Sequence, residues 1–398
     1  MGPAAAQLVL EAAPGLSLQR SPPPLEDATS SGSASPRALN APQPLSILEE
    51  AAVRPATRLL YVSQLRLFRD WCLWTGRDWM SAGGLDTTLV AFFTYLFQDG
   101  LSKTAGGHTL AAIRHFLPTF GIEASARFPR AERALKGWSK LSPGTQRLPL
   151  PRAAALAVSG WLMSQNRHQM ATFIMIAFTC YLRPGECYAL RGRHLVPPRP
   201  DAGTQYQSWS ILLHDSDLGI PGKTGIFDDA VVVDLDRFLW PALASLRATR
   251  QDFEPLWDFT RDQLCTAFMQ AFSHLGLSHL SPHLYGLRHG GASDDLLRRR
   301  RPHSEVKARG RWASDSSLKR YGKAARLQLE ITKIPPAVVA FGLAIEARFT
   351  QCMIHQQQFG CLGGGLSVPV VHPTTPGPRK RRRACARRPA SALVVPGR

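Results

Sequence analysis

The sequence has few acidic residues, no paired cysteines and no long apolar run. Its 398 residues include 29 Asp and Glu against 48 Lys and Arg, a formal net charge of +19. That excess favours a polyanionic partner, such as nucleic acid or an anionic membrane surface. No stretch approaches the ~20 consecutive apolar residues of a membrane span, and the N-terminus lacks a basic segment followed by a hydrophobic one. We therefore expect a soluble, unsecreted protein.

The metal-binding and disulfide signals are also missing. The seven cysteines are odd in number and form no CxxC pair, which is unlike a disulfide framework or a structural zinc site. His355, His372 and the glycines at 363–365 have neither ligand spacing nor the strand-to-helix context of a nucleotide loop. We expect no metal, no cofactor and no small-molecule substrate.

The N-terminal third divides into a leader and a helical domain. Residues 1–45 are rich in Pro, Ser and Ala, a composition typical of disorder. From Arg54 onward, apolar residues recur at three- and four-residue steps, which predicts a helix. Further helices are predicted from the N-cap candidate Asp86, over 102–117, and after Pro129. These four helices predict a small bundle over 46–142. The residues that mark the first helix are Tyr61, Leu65, Phe68 and Cys72.

Basic residues lie on the polar faces of these predicted helices. They can contact DNA phosphates, although solvated surface charge explains any single one equally well. The four candidates are Lys103, Arg114, Arg130 and Lys136.

A Pro- and Gly-containing linker over 143–152 precedes a second predicted domain over 153–330. Helical patterns at 151–164 and 167–180 lead to Arg183 at a helix junction, followed by Pro184. Two strand-like segments, YQSWSILLH and DDAVVVDL, predict a β-hairpin with Lys223 near its tip or on its second strand. Helices are expected again near 236–248 and 261–275. The fold class is therefore mainly α with a small β-sheet. After the second domain, the chain continues in an extension over 331–398 with a basic tail.

Several residues of this domain suit the chemistry of metal-free phosphodiester cleavage. That reaction needs a nucleophile, cationic groups around the phosphoryl oxygens and an acid for the leaving oxygen. Arg183 in YLRPGE and Arg288 in HLYGLRHGG each offer a planar fork of donors for two phosphate oxygens. Tyr321 in RWASDSSLKRYGK offers a hydroxyl nucleophile, and Lys223 in PGKTG suits a proton donor. Taken singly, such residues are usually structural ion pairs or packing.

In order, spacing and type, this set resembles the catalytic domain of the tyrosine recombinases, the phage-integrase family. The resemblance covers about 46–325 and implies that the bundle over 46–142 is the core-binding domain, which binds DNA. It also implies that Arg183 and Arg288 bind the phosphate, with Glu186 as a buried support. Tyr285 stands where most members have a histidine, which is a departure from the pattern. His289 matches a histidine with a packing or hydrogen-bonding role. Trp312, nine residues before Tyr321, stands where the family has His or Trp, and its indole N–H can donate to phosphate.

The resemblance implies that Tyr321 attacks the scissile phosphate, forms a 3′-phosphotyrosyl intermediate and releases a 5′-hydroxyl. It also implies duplex DNA as the partner, a homotetramer on synapsed DNA, and no need for ATP. The sequences of the motifs are similar to those of recombinases of eukaryotic mobile elements. A contiguous basic run in the tail predicts a nuclear localisation signal or a nonspecific DNA-binding patch. That run comprises Arg379, Lys380, Arg381, Arg382 and Arg383.

Two other functions remain open at this stage. One is a recombinase-derived protein that binds DNA without cutting it, which Tyr285 favours. The other is a type IB topoisomerase-like enzyme, which shares the tyrosine chemistry but needs no partner duplex.

Two segments also have two interpretations each. The arginines at 298–301 either follow the DNA backbone or form a solvated helix surface. The apolar stretch 324–350 either docks on a neighbouring protomer or packs on its own domain.

Overall fold

The computed structural model describes residues 45–79, 82–116, 128–143, 148–219, 227–318 and 324–371. These residues form two compact units, one containing 45–143 and the other 148–371. Helices predominate, with one three-stranded antiparallel sheet in the order β1-β2-β3. The predicted fold class, mainly α with a small sheet, is confirmed.

The described residues of the first unit form five helices. They are α1 (Ile47–Ala51), α2 (Pro55–Thr75), α3 (Ala82–Gln98), α4 (Lys103–Phe116) and α5 (Pro129–Leu141). Helix α2 starts with Pro55, whose fixed φ suits the first helical turn, and ends at Gly76 with a φ of 63°. Its inner face is buried as the apolar spacing predicted, and Tyr61 packs partly buried against the same cluster. The buried positions of this face are Leu65, Phe68, Trp71 and Cys72.

Asp86 has a different role from the one predicted. It lies inside α3, which begins at Ala82, so it does not cap its own helix. Its carboxylate instead accepts the backbone N–H groups of Arg130 at 3.1 Å and Ala131 at 2.9 Å. These are free donors at the start of α5, which a carboxylate satisfies as well as a local cap does. Asp86 therefore ties α3 to α5, a long-range contact that local spacing does not reveal.

The second unit begins with two helices, α6 (Arg152–Ser164) and α7 (His168–Thr179), whose side chains are buried almost throughout. The short α8 (Pro184–Tyr188) follows at the predicted junction. The sheet comprises β1 (Leu195–Val196), β2 (Trp209–Leu213) and β3 (Asp229–Val233), with Ile211 of β2 opposite Val231 of β3. The predicted hairpin is confirmed as β2 and β3, and the two-residue β1 is an addition.

The remaining helices complete the unit. They are α9 (Trp240–Thr249), α10 (Arg261–His274), α11 (Tyr285–Arg298), α12 (His303–Arg309), α13 (Asp315–Leu318), α14 (Ala324–Ile331), α15 (Pro336–Ala347) and α16 (Phe349–Phe359). Single turns of 3-10 helix occur at Gly192–His194, Pro200–Ala202, Thr204–Tyr206, Ser216–Leu218, Arg237–Leu239 and Ser278–Leu280.

The segment after the predicted nucleophile packs on its own unit. Val338, Phe341 and Ile345 of α15 are buried in the same core as α6. The two helices approach closely, because a Cβ at Gly342 would lie 2.3 Å from the carbonyl oxygen of Ala153. Of the two interpretations of this stretch, the described residues show packing within one chain. No single described helix is long and apolar enough to cross a membrane. Helices α14 and α15, which are bent by 107° relative to each other, have the length and composition of a membrane span only when taken together.

Candidate catalytic site

The site is organised around Glu186, in the first turn of α8. Its carboxylate accepts the backbone N–H of Arg183 at 2.8 Å and a guanidinium N–H of the same residue. Burial alone raises the pKa of Glu186, but the adjacent Arg311 and Arg183 outweigh it and hold the pKa below its usual value. Glu186 is therefore a buried carboxylate that stays charged at neutral pH. The side chain of Arg183 is 24% exposed, so it still faces solvent in part.

Tyr285, at the start of α11, reaches the first of the predicted phosphate-binding arginines. Its side chain is hydrogen-bonded to that of Arg183. The aromatic ring of Tyr285 lies 5.4 Å from the ring of His289, one turn further along α11. Both rings are half-buried. Tyr285 is thus in direct contact with Arg183.

Arg288 is fully buried and connects three segments of the chain. Two of its guanidinium nitrogens donate to the backbone carbonyl groups of Tyr181 and Gly310. Its guanidinium carbon lies 4.9 Å from the ring centroid of Trp312, a cation–π distance. Its Nε has no hydrogen-bond partner among the described residues. Arg288 thus positions the chain around Trp312 and keeps one unused donor.

Trp312 contacts both Arg288 and Tyr181. The rings of Trp312 and Tyr181 are stacked, with centroids 6.3 Å apart and planes at 22°. The hydroxyl of Tyr181 donates to Asp295, which anchors the stack to α11. A Cβ at Gly310 would lie 2.0 Å from the indole, so only glycine fits here without displacing Trp312.

Arg311 is a site residue that the sequence reasoning missed. Its Nη2 donates to Glu186 Oε2 at 2.6 Å, so one carboxylate holds both Arg183 and Arg311. Burial is the main cause of the lowered pKa of Arg311, and the neighbouring charges of Arg288 and Arg183 lower it further. Its only sequence signal is its place in RGRW beside Trp312, which is weak in a chain with 48 basic residues.

His214, directly after β2, is a second residue that the sequence reasoning missed. Its Nε2 lies 3.8 Å from Glu186 Oε1, and its side chain is 20% exposed. Its φ of 58° is unusual for a residue with a side chain. The end of β2 therefore brings an imidazole to the same carboxylate.

Several predicted residues lie outside the described part of the chain. They are Lys223, Tyr321 and the basic run from Arg379 to Arg383. Their proposed roles remain predictions. Of the rest, the structure brings Arg183, Glu186, Tyr285 and His289 together by direct contacts, and Arg288 with Trp312 by another.

The basic residues predicted to bind DNA in the first unit lie on α4 and α5 and are all exposed. Lys103 stands at the first position of α4, and Lys136 lies in the middle of α5. Arg114 is paired with Glu132. Arg130 donates to the hydroxyl of Thr87 at 2.9 Å. Two of the four charges are therefore engaged within the unit, and the role of all four in DNA binding remains a prediction.

The arginine run at 298–301 does not behave as one surface. Arg301 is 2% exposed in its side chain and is paired with Asp234, Asp295 and Glu305. Arg300 lies 3.0 Å from Asp236. These two arginines stabilise the fold and are neither a solvated surface nor free for DNA.

Together, the residues around Glu186 form a partly buried, positively charged site. Arg183, Arg288 and Arg311 supply three guanidinium groups, and Trp312 and Tyr285 supply further polar hydrogens. Such groups stabilise the negative charge of a phosphoryl group during displacement. No cluster of three or more His, Cys, Asp or Glu side chains with metal-site geometry occurs within the described ranges.

No known family model matches the sequence, and no curated protein matches it. Among solved structures, the chain is similar to one titled XerH site-specific recombinase bound to palindromic difH substrate, a post-cleavage complex. The two are 16% identical, with a TM-score of 0.42, over 62% of this chain and 71% of that chain.

Proposed function

We propose that this protein breaks and rejoins DNA by the chemistry of tyrosine recombinases. The observation that carries the proposal is the excess of positive charge around Glu186. Arg183 and Arg311 share this one carboxylate, and Arg288 has only carbonyl acceptors. Buried charges without matching partners are costly. An anionic phosphodiester would supply the missing negative charge.

In the proposed reaction, the phenolic oxygen of Tyr321 releases its proton to water and attacks the scissile phosphorus. The bond from phosphorus to the 5′ oxygen breaks, and Lys223 gives that oxygen its proton. The product is a 3′-phosphotyrosyl link and a 5′-hydroxyl strand. Attack by the 5′-hydroxyl of a partner strand reverses the step and regenerates Tyr321. Arg183 and Arg288 bind the non-bridging oxygens, where charge accumulates during both displacements.

The remaining parts of the proposal concern the assembly and its setting. We propose that the helices of the first unit bind the duplex through phosphate contacts, which give affinity without sequence information. Four copies assemble on two synapsed DNA sites. The basic tail directs the protein to the nucleus, and the activity belongs to an integrase of a mobile element.

A catalytically inactive DNA-binding protein is the second candidate. Two observations favour it. Tyr285 occupies the place of a histidine, and two donors of Arg288 are engaged by backbone carbonyl groups in the free protein. Such a protein keeps affinity for the phosphate backbone but lacks a productive geometry for attack.

The decisive experiment uses nicked suicide substrates drawn from a random-sequence pool. We expect wild-type protein to give a covalent DNA adduct on denaturing gels, and Tyr321→Phe to give none while binding DNA normally. Tyr206→Phe is the matched control, since Tyr206 is 53% exposed and is not one of the residues named in the site. Adducts formed by Tyr321→Phe would overturn the nucleophile, and binding without adducts in the wild type would favour the inactive candidate.

A further inference from the structure

We infer that Arg311 is a third phosphate-binding guanidinium of this site, in addition to Arg183 and Arg288. The inference rests on the proposed function and adds a residue to it. It follows from the surroundings of Arg311, from the contrast with a neighbouring arginine, and from the geometry of the shared carboxylate.

Arg311 is more than nine-tenths buried but is incompletely paired. Its side chain is 9% exposed. Its Nη2 donates to Glu186, and its Nη1 makes a long contact of 3.3 Å to the carbonyl oxygen of Arg309. Its Nε has no hydrogen-bond partner among the described residues, and the carboxylate of Asp229 is 4.0 Å away, beyond hydrogen-bond reach. A buried N–H group without an acceptor is unfavourable, which points to a ligand that accepts it.

Arg309, only two residues earlier, shows what a structural arginine looks like in this fold. Its side chain is 6% exposed, close to that of Arg311. Its Nε and Nη2 donate to the carbonyl oxygen of Thr179, and its Nη1 donates to that of Val232 at 2.6 Å. Every nitrogen of Arg309 thus has an acceptor within the protein. Burial alone does not explain the unpaired donor of Arg311.

The backbone around Arg311 is also held in an uncommon conformation. Its φ is 53°, a region that costs a residue with a side chain on the order of 1–3 kcal/mol. Arg288 binds the preceding carbonyl group, that of Gly310, and so helps to hold this conformation. Strain of this kind is frequent where a side chain must be presented to a ligand.

Glu186 holds both of the arginines that would bind the proposed phosphate, Arg183 and Arg311. Its Oε1 accepts from the guanidinium of Arg183, and its Oε2 accepts from the guanidinium of Arg311. A phosphate that contacts both guanidinium groups therefore meets a pair whose spacing is fixed by one carboxylate. Removal of Arg311 takes away a direct donor to phosphate, whereas a merely structural role predicts only a loss of stability.

The first test compares two DNA substrates that differ in charge at the scissile position. One carries the ordinary phosphodiester and the other a neutral methylphosphonate, which lacks one anionic oxygen. Arg311→Lys keeps the positive charge and the contact to Glu186 but removes the unpaired Nε–H donor. We expect it to slow cleavage of the phosphodiester about 100-fold and cleavage of the methylphosphonate much less. Equal slowing on both substrates would overturn the inference.

Arg309→Met is the matched control, because it removes an equally buried arginine whose donors are all used within the protein. We expect it to lower the melting temperature and to leave the ratio of the two cleavage rates unchanged. A change in that ratio as large as that of Arg311→Lys would show that the readout reports folding, and would also count against the inference.

The second test does not depend on cleavage. Inorganic phosphate is titrated at constant ionic strength, and its effect on the melting temperature is compared with that of chloride. General salt effects of phosphate act on every variant alike, and Arg309→Met, which keeps Arg311, should respond to phosphate as the wild type does. We expect phosphate to raise the melting temperature of wild-type protein and of Tyr321→Phe by more than this general effect. Arg311→Lys should lose that additional rise. If no variant forms adducts but this pattern holds, the recombinase function fails and the phosphate site stands. A rise retained by Arg311→Lys overturns the site.

Discussion

Two arginine-rich clusters in the second unit differ in how their charges are balanced. In the first, three arginines contact five carboxylates at the junction of α6, β3 and α11. These arginines are Arg152, Arg300 and Arg301, and the carboxylates are Asp234, Asp236, Asp295, Glu305 and Glu346. In the second, Arg183 and Arg311 share Glu186, and Arg288 contacts carbonyl groups only.

This difference distinguishes a structural network from a ligand site. A buried ion pair is tolerated when each charge has partners, and it is strongly destabilised when one partner is removed. The first cluster is complete in the folded chain and needs nothing further. The second has unpaired guanidinium donors on Arg288 and Arg311, so its balance requires an anion. Variants that alter either cluster therefore test whether this contrast is correct.

The largest expected effect is on the structural cluster. Asp236→Ala leaves Arg152 and Arg300 without their shared buried partner, since the side chain of Asp236 is 5% exposed. We expect the free energy of unfolding to fall by about 3–5 kcal/mol, measured by urea denaturation. Asp201→Ala removes an exposed pair with Arg199 and is the control, with no measurable loss. An equal effect of the two variants would contradict the distinction drawn here.

A smaller and different effect is expected at the site. Glu186→Gln weakens charge-assisted hydrogen bonds to Arg183 and Arg311, so we expect a loss of about 1.5–3 kcal/mol. Because the variant increases the surplus of positive charge, inorganic phosphate should restore part of this stability. Phosphate should restore none of the loss in Asp236→Ala. Unfolding curves of both variants are measured with phosphate and with chloride at equal ionic strength. If phosphate restores as much stability to Asp236→Ala as to Glu186→Gln, the two clusters do not differ in their need for an anion.

A gain in stability is expected at the edge of the structural cluster. Burial raises the pKa of Asp294 above its ordinary 3.8, and the ion pair with Arg298 compensates incompletely. An elevated folded pKa means that ionisation costs stability as pH rises above 3.8, up to the folded pKa. Asp294→Asn removes that cost, so its urea midpoint at pH 7 should exceed the wild type's. The advantage should not grow as pH falls to 5, and a less stable variant at pH 7 would refute the assignment.

The smallest expected effects concern DNA binding by the first unit. Lys103 and Lys136 are exposed cations, whereas Arg114 is paired with Glu132. If the two lysines contact phosphates, the double variant Lys103→Ala/Lys136→Ala should weaken binding to all sequences and reduce the salt slope by about 2. Arg114→Ala should change the slope less. Affinities over a range of salt concentrations give the slopes, and an unchanged slope in the double variant would exclude these contacts.

Local sequence patterns predicted most of the helices and the hairpin. Pro55, Pro129 and Pro184 mark helix starts because their φ and missing N–H suit the first turn. Long-range contacts were not accessible in this way. Asp86 looks like an ordinary N-cap in the sequence, yet it caps a helix more than forty residues away.

The site was predictable where the residue types form a known order, and not elsewhere. Arg183, Tyr285, Arg288 and Trp312 stand in recognisable boxes, and the structure shows contacts of Tyr285 with Arg183 and of Arg288 with Trp312. Arg311 and His214 reach the site because a Gly310 turn and the end of β2 direct them toward Glu186. Neither position differs in sequence from many other basic residues. The fate of the 298–301 run was also hidden, since its acidic partners Asp234 and Asp236 lie in another element.

The most direct test of the central claim is to locate the covalent bond. Wild-type protein is incubated with nicked duplex substrates, the adduct is digested with protease and nuclease, and the modified peptide is sequenced by mass spectrometry. We predict a nucleotide joined through its 3′-phosphate to the phenolic oxygen of Tyr321. Tight DNA binding without any modified peptide, or a modification on another residue, would contradict the account.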